Sequence, residues 1–153
     1  MSYDAGQISD ILELRQLAYR YAQGVDGRDA EALGDLFTED CLVDGSGYYS
    51  RGRKGITAIP AMLDRRFEGT YHAVQNHIVH LNGDTAEGEV YAISRHLRKA
   101  PDDSLTVYVM YMRYRDKYVR QADGWRFAHR HILLDWTETG PAERPPAPRP
   151  DRG

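Results

Sequence analysis

The chain has 153 residues, of which 41% are hydrophobic and 28% are charged, a size and composition typical of one globular domain with a hydrophobic core. Its formal charge of −3 excludes a broad basic surface for nucleic-acid binding. The sequence contains no apolar stretch long enough to cross a bilayer, and its first residues do not resemble a secretory signal. We therefore expect a cytoplasmic protein with no nucleic-acid or membrane partner. The single cysteine, Cys41, cannot form an internal disulfide, which fits a reducing compartment.

The first part of the chain has the apolar spacing of helices. This spacing predicts a helix over residues 8–23, with Ser9 as its N-cap and Gly24 as its end. Asp29 is expected to cap a short helix over residues 30–37, and a strand is predicted over residues 41–44. A third helix is predicted over residues 54–66, although Pro60 removes a backbone donor within it.

Beyond residue 69 the repeat of apolar residues changes from about 3.6 residues, typical of a helix, toward two residues, typical of a strand. Strands are predicted over residues 71–81, 85–97, 105–120 and 125–136, with glycine-containing turns at residues 82–84 and 122–124. Helices followed by an antiparallel meander predict an α+β domain in which the helices cover one face of a curved sheet. We expect a single domain over residues 1–137 and a flexible, proline-rich tail over residues 138–153.

Two residues could together form a general base. Strict alternation along the first long strand places His72 and Asn76 on one face, where two buried polar side chains would imply a polar site inside an apolar cavity. Asp26 lies at the end of the first predicted helix. A carboxylate beside a histidine fixes the tautomer of the ring and stabilises its protonated form. The sequence alone does not show that Asp26 and His72 lie close together, and each residue could instead have a purely structural role.

The last two strands contain further candidates. Arg130 falls on a face with apolar neighbours, so if this face is buried the guanidinium needs a carboxylate such as Asp26, or a substrate charge. At a rim, or beside a structural acid, it would have no catalytic role. Trp136 shares the face of Arg130 by alternation. Met110, Met112 and Tyr114 form an alternating stripe that fits either a core or an adaptable pocket wall.

Metal ligation is not predicted. His72 and His80 would lie ~26 Å apart along an extended strand, too far to share an ion. His129 and His131 share a strand face, but Asp135 is the only acid that alternation adds to them. We therefore expect neither a bound metal nor a cofactor.

Several segments in a fixed order resemble the SnoaL-like family of the nuclear transport factor 2-like superfamily, over about residues 7–137. The resemblance is carried by residues 20–29, 36–40, His72 with Asn76, residues 83–86, 114–116, 124–126, and Arg130. It implies a cone-shaped α+β barrel, in which N-terminal helices pack on a strongly curved antiparallel sheet around a deep pocket. It also implies a homodimer or homotrimer formed through the sheet.

Within this family, Asp26 and His72 match the Asp–His dyad of scytalone dehydratase-like and γ-hexachlorocyclohexane dehydrochlorinase-like members. Those enzymes take a proton from carbon and expel a leaving group. Arg130 resembles the arginine that the dehydrochlorinases place beside the dyad. Tyr21 stands where a dehydrochlorinase has lysine, and is a candidate proton donor. Val25 replaces the tyrosine that precedes the aspartate in scytalone dehydratase. The residues expected to bind substrate are Asn76, Tyr48, Tyr49, Met110, Met112 and Trp136.

The resemblance and the candidate residues together predict a cofactor-independent lyase. It would eliminate water or halide from a small hydrophobic substrate, cyclic or aromatic, with His72 as base and Asp26 as its partner. Retro-aldol carbon–carbon cleavage and ketosteroid-isomerase-like isomerisation are alternatives. A non-catalytic ligand-binding domain, or an assembly domain like the small subunits of ring-hydroxylating dioxygenases, is the alternative from another class, because the fold does not determine the activity.

Overall fold

The computed structural model describes residues 2–145. Within them the chain forms four helices and six strands, in the order α1 (Ala5–Asp26), α2 (Ala30–Gly34), β1 (Phe37–Gly45), β2 (Tyr48–Arg51), α3 (Gly52–Thr57), α4 (Ile59–Asp64), β3 (Gly69–Asn82), β4 (Thr85–Lys99), β5 (Leu105–Gln121) and β6 (Gly124–Ala142). None of the helices formed by residues 2–145 has the length and apolar character needed to span a membrane.

Helix α1 is longer than predicted at both ends. Asp4, not Ser9, is the N-cap: its side chain accepts the backbone N–H of Gln7, and the Gln7 side chain accepts the backbone N–H of Asp4. The helix also continues past Gly24. A Cβ at this position would lie 3.3 Å from Cβ of Leu33, so the glycine permits close packing of α1 on α2. The predicted stop at Gly24 was therefore wrong.

The shorter helices follow the sequence signals in part. Asp29 caps α2 as predicted, through a 3.0 Å hydrogen bond from the backbone of Ala32. The predicted third helix is two short helices, α3 and α4, joined at Ala58. Pro60 lies in the first turn of α4, where its missing N–H costs no helical hydrogen bond.

The six strands form one open sheet in the order β2-β1-β6-β5-β4-β3. Four neighbouring pairs are antiparallel, but β1 runs parallel to β6. The predicted α+β architecture is confirmed, with the correction that the sheet is mixed and open rather than a purely antiparallel barrel. The hairpin turns lie where predicted, with Gly83 and Gly124 at φ values of +61° and +127°.

The last strand extends beyond the predicted end of the domain. Strand β6 pairs with β5 up to Ala142, which lies opposite Leu105. Residues 138–142, predicted to belong to the tail, are therefore part of the sheet. The part of the predicted tail at residues 146–153 lies outside the described residues.

The antiparallel ladders contain three register shifts that change which side chains face the helices. One lies between Val74 and His77 of β3, and the other two leave Ala128 and Asp135 of β6 as extra residues opposite β5. The inner face of the sheet packs against α1 and the shorter helices. Buried there are Leu14, Leu33, Phe37, Val90, Tyr118, Trp125 and Phe127.

Candidate functional site

Asp26, the last residue of α1, lies against the beginning of β3. Its carboxylate accepts the hydroxyl of Thr70 at 2.9 Å and the backbone N–H of His72 at 2.7 Å. The Arg28 guanidinium donates in turn to the Thr70 hydroxyl at 2.8 Å. These contacts fix the carboxylate at the junction between the helix and the sheet.

The imidazole of His72 binds the same carboxylate. Its Nδ1 lies 2.7 Å from Oδ1 of Asp26, and the two side chains are 9% and 24% exposed. Burial alone would raise the pKa of Asp26, but hydrogen bonds and charge from His72, with the hydrogen bond from Thr70, outweigh burial and hold this pKa below its usual range. Asp26 is thus ionised at neutral pH. Because Asp26 occupies Nδ1, Nε2 is the ring nitrogen left to meet a ligand.

A cavity of about 150 Å³ lies beside His72, between the helices and the inner face of the sheet. A cavity of about this volume holds one benzene ring. Most of its wall is apolar, formed by Val25, Ile59, Met62, Leu63, Met110, Met112 and Ile132. Its polar members are Tyr21, Tyr48, His72, Ser94, His96 and Tyr114. The site therefore combines a mostly apolar wall with a few polar groups, as is typical of small-molecule binding sites.

Two of these polar residues escaped the sequence analysis. Ser94 lies opposite His72 across the strand pair, and the ring centroid of His96 is 5.7 Å from that of His72. Both are buried, and the Ser94 hydroxyl and His96 Nδ1 have no hydrogen-bond partner within residues 2–145. Burial is the main cause that lowers the pKa of His96 to about 4, with a further contribution from His72. Nδ1 of the neutral His96 ring and the hydroxyl oxygen of Ser94 are thus two buried polar atoms available to a ligand.

Alternation along β4 could have revealed both residues. Ser94 and His96 flank the exposed Arg95, a pattern that places them on one face.

Besides His72, four of the predicted site residues line the cavity: Tyr21, Tyr48, Met110 and Met112. The Tyr21 ring makes edge-to-face contacts with Phe37 and Phe127 of the core. Burial raises the pKa of both Tyr21 and Tyr48, so each hydroxyl keeps its proton at neutral pH. Both phenols therefore line the cavity with the proton that a hydrogen bond to a ligand requires.

Three predicted binding residues lie elsewhere. Asn76 is exposed, because the bulge in β3 breaks the alternation after Val74 and turns His77 inward instead. Trp136 is 56% exposed and stacks on Tyr111, with ring centroids 4.6 Å apart. The extra residue Asp135 shifts it to the outer face of the sheet. Tyr49 is 67% exposed and does not line the cavity.

Arg130 is buried, but it does not bind Asp26. Its Nε and Nη2 donate to the two carboxylate oxygens of Asp116 at 2.8 and 2.7 Å. The rings of Tyr21, Tyr114 and Phe127 lie 4.2 to 4.3 Å from the guanidinium carbon. Arg130 is not among the residues that line the cavity. Arg130 thus pairs with a buried acid other than Asp26, and its predicted catalytic role stays a prediction.

Comparison with known proteins agrees with this fold. A family model described as a SnoaL-like domain matches residues 6–131, and the chain belongs to this family. The uncharacterized protein Rv2910c of Mycobacterium tuberculosis is 28% identical over 130 residues, which cover 81% of this chain and 84% of the relative.

Two solved structures share this architecture. Hexachlorocyclohexane dehydrochlorinase LinA-type3 from Novosphingobium barchaimii superimposes with a TM-score of 0.82 at 16% identity, covering 94% of this chain and 100% of that one. A candidate scytalone dehydratase from Novosphingobium aromaticivorans gives a TM-score of 0.75 at 20% identity, covering 90% and 91%. At these identities the likeness establishes the fold alone.

Proposed function

We propose that this protein is a lyase that eliminates water or halide from a small cyclic or aromatic substrate, with His72 as the general base. The observation that carries the proposal is the 2.7 Å contact between His72 Nδ1 and Asp26 beside an apolar cavity. The dehydratase and dehydrochlorinase named among the structural relatives support this class of reaction. The base and its partner are side chains, so the proton transfer needs no cofactor.

In the proposed reaction, His72 Nε2 takes a proton from a substrate carbon. Asp26 holds the ring by Nδ1 and stabilises the imidazolium that forms, since its carboxylate is already ionised. A positive ring beside an ionised carboxylate is favourable in a partly buried site. The proton moves to the solvent or to the leaving group once the product has formed.

The leaving group would meet the polar part of the cavity wall. The Ser94 hydroxyl and His96 Nδ1 are buried and have no hydrogen-bond partner among the described residues, and Tyr21 and Tyr48 keep their phenolic protons. We propose that one of the phenols donates to the departing oxygen or halide, while Ser94 and His96 bind a substrate oxygen. Preorganised donors of this kind stabilise charge that develops in the transition state.

The size and composition of the cavity restrict the substrate. About 150 Å³ accommodates a single six-membered ring, and the methionines in the wall can adapt to irregular apolar shapes. We therefore expect a monocyclic compound that carries a hydroxyl or halide next to an abstractable C–H.

The test is a screen of monocyclic alcohols, hydroxyketones and halides, with product masses measured after incubation with the full chain. We expect loss of water or hydrogen halide from at least one compound, and a decrease in this rate on the order of 10²–10⁴ in His72→Ala. His80→Ala is the matched control, because His80 is an exposed histidine on the same strand. Elimination that proceeds equally well in His72→Ala would contradict the proposal.

The same screen separates the alternatives. A product of unchanged mass would indicate isomerisation, and two carbon fragments would indicate retro-aldol cleavage. Binding of several ring compounds in the cavity with no turnover of any would favour a non-catalytic domain and overturn the lyase assignment.

A further inference from the structure

A second cluster of chemically active side chains lies on the outer face of the sheet, away from the cavity. Asp44 of β1 lies directly opposite His131 of β6 in the parallel pairing, and His129 is the next residue of β6 on the same face. The extra residue Ala128 separates the inward Phe127 from these two histidines. The fold thus brings two imidazoles and one carboxylate together from two neighbouring strands.

The three side chains converge on one point. His129 Nε2 and His131 Nδ1 lie 2.9 and 2.7 Å from the same oxygen, Oδ1 of Asp44. The three potential ligand atoms all lie within 4.8 Å of one another. Ligand atoms bound about 2.0–2.2 Å from one ion are spaced about 3–3.5 Å apart, so small side-chain rotations would suffice.

The cluster is accessible and has room for further ligands. The side chains of Asp44, His129 and His131 are 28%, 29% and 39% exposed. Both histidines border an outer cavity of about 460 Å³. Water molecules could therefore complete the coordination of an ion.

Two basic side chains lie near the cluster, and an acidic neighbour partly neutralises each of them. Lys117 and Arg115 lie opposite His129 and His131 on β5. Each has an acidic partner on β4, however: the Lys117 ammonium is 3.9 Å from Glu87, and the Arg115 guanidinium is 3.3 Å from Glu89.

We propose that Asp44, His129 and His131 form a binding site for a first-row divalent transition-metal ion such as Zn²⁺. Two imidazole nitrogens with one carboxylate suit Zn²⁺ and its neighbours better than Ca²⁺ or Mg²⁺, which prefer oxygen ligands throughout. The site is on the opposite face of the sheet from His72. It is therefore independent of the proposed elimination.

Titration of the chelator-treated full chain with Zn²⁺ in a calorimeter tests the site. We expect one ion per chain, with binding weakened at least about tenfold in Asp44→Asn, His129→Ala and His131→Ala. His80→Ala is the matched control, because His80 borders the same outer cavity without belonging to the cluster, and it should bind as the wild type does.

Co²⁺ gives a second measurement on the unmodified protein. Its visible absorption should show nitrogen and oxygen coordination, and Zn²⁺ should displace it. His72→Ala should retain the ion, which separates this proposal from the proposed activity. No saturable uptake by the wild type, or unchanged affinity in the three cluster variants, would overturn the site.

Discussion

Within residues 2–145, two acid–base pairs on the inner side of the sheet differ in what surrounds them. Asp116 and Arg130 are strand neighbours with 0% and 1% exposed side chains, joined by two hydrogen bonds and covered by three aromatic rings. Asp26 and His72 join a helix end to a strand beside a cavity, where one ring nitrogen is left for a ligand. The fully buried pair stabilises the fold. The pair beside the cavity leaves one ring nitrogen of His72 available, so it can take part in a reaction.

Breaking the buried pair should have the largest effect on stability. Arg130→Leu leaves the Asp116 carboxylate buried without its cation, and we expect the free energy of unfolding to fall by about 3–5 kcal/mol in urea denaturation. Removal of both charges in Arg130→Leu with Asp116→Leu should restore part of this loss. A change below about 1 kcal/mol in the single variant would show that the pair is not structural.

The surroundings of the two pairs should also produce a sensitivity to acid. A histidine lies near each pair: the half-buried His77 contacts Tyr118, which donates to Asp116, and the buried His96 lies beside His72. Burial is the largest cause that lowers the pKa of both to about 4. Because the unfolded chain binds these protons more readily, stability should fall as pH decreases from about 6.5 to about 4 and level off below that.

For His96 this loss is about 3 kcal/mol at pH 4, since each pKa unit corresponds to about 1.4 kcal/mol. The carboxylates with lowered pKa, such as Asp26 and Asp44, lose their contribution only below about pH 3.8, so the two effects occupy different pH ranges. Urea denaturation of His96→Phe at several pH values should show a smaller slope between pH 6.5 and 4. The exposed variant His80→Gln should keep the wild-type slope, and an unaltered slope in His96→Phe would count against this assignment.

The smallest effect is expected on the outer face. Trp136→Ala removes a ring that is more than half exposed and that stacks on Tyr111. We expect a decrease of about 1 kcal/mol or less in the free energy of unfolding, and no change in the affinity of any compound that binds the cavity. Trp136→Phe, which keeps a ring over Tyr111, should be nearer the wild type. Weaker ligand binding in Trp136→Ala would place this residue in the site after all.

Much of the fold was accessible to sequence reasoning, because it depends on local signals. The apolar period of α1, the cap at Asp29 and the turns at Gly83 and Gly124 all involve residues close in the chain. The parallel pairing of β1 with β6 joins distant segments, and no local pattern specifies it. The cluster of Asp44 with His129 and His131 depends on that pairing, which is why Asp135 was taken as the nearest acid.

Two of the errors at the site have the same physical cause. Each bulge inserts a single residue that reverses the inward and outward alternation beyond it, as happens at Asn76 and Trp136. The energy that favours a bulge comes from packing against the rest of the fold, so strict counting along the strand cannot locate it. Asp26 and His72, in contrast, lie at the ends of their elements, before any bulge intervenes.

The central claim is that Asp26 holds His72 by Nδ1 and leaves Nε2 free for the substrate. Long-range ¹H–¹⁵N NMR of the histidine rings, recorded where the His72 ring is neutral, tests it directly. We predict that the proton of His72 resides on Nδ1 in the wild type, and that this preference is weakened in Asp26→Asn. A His72 ring that carries its proton on Nε2, and is unchanged by Asp26→Asn, would contradict the account.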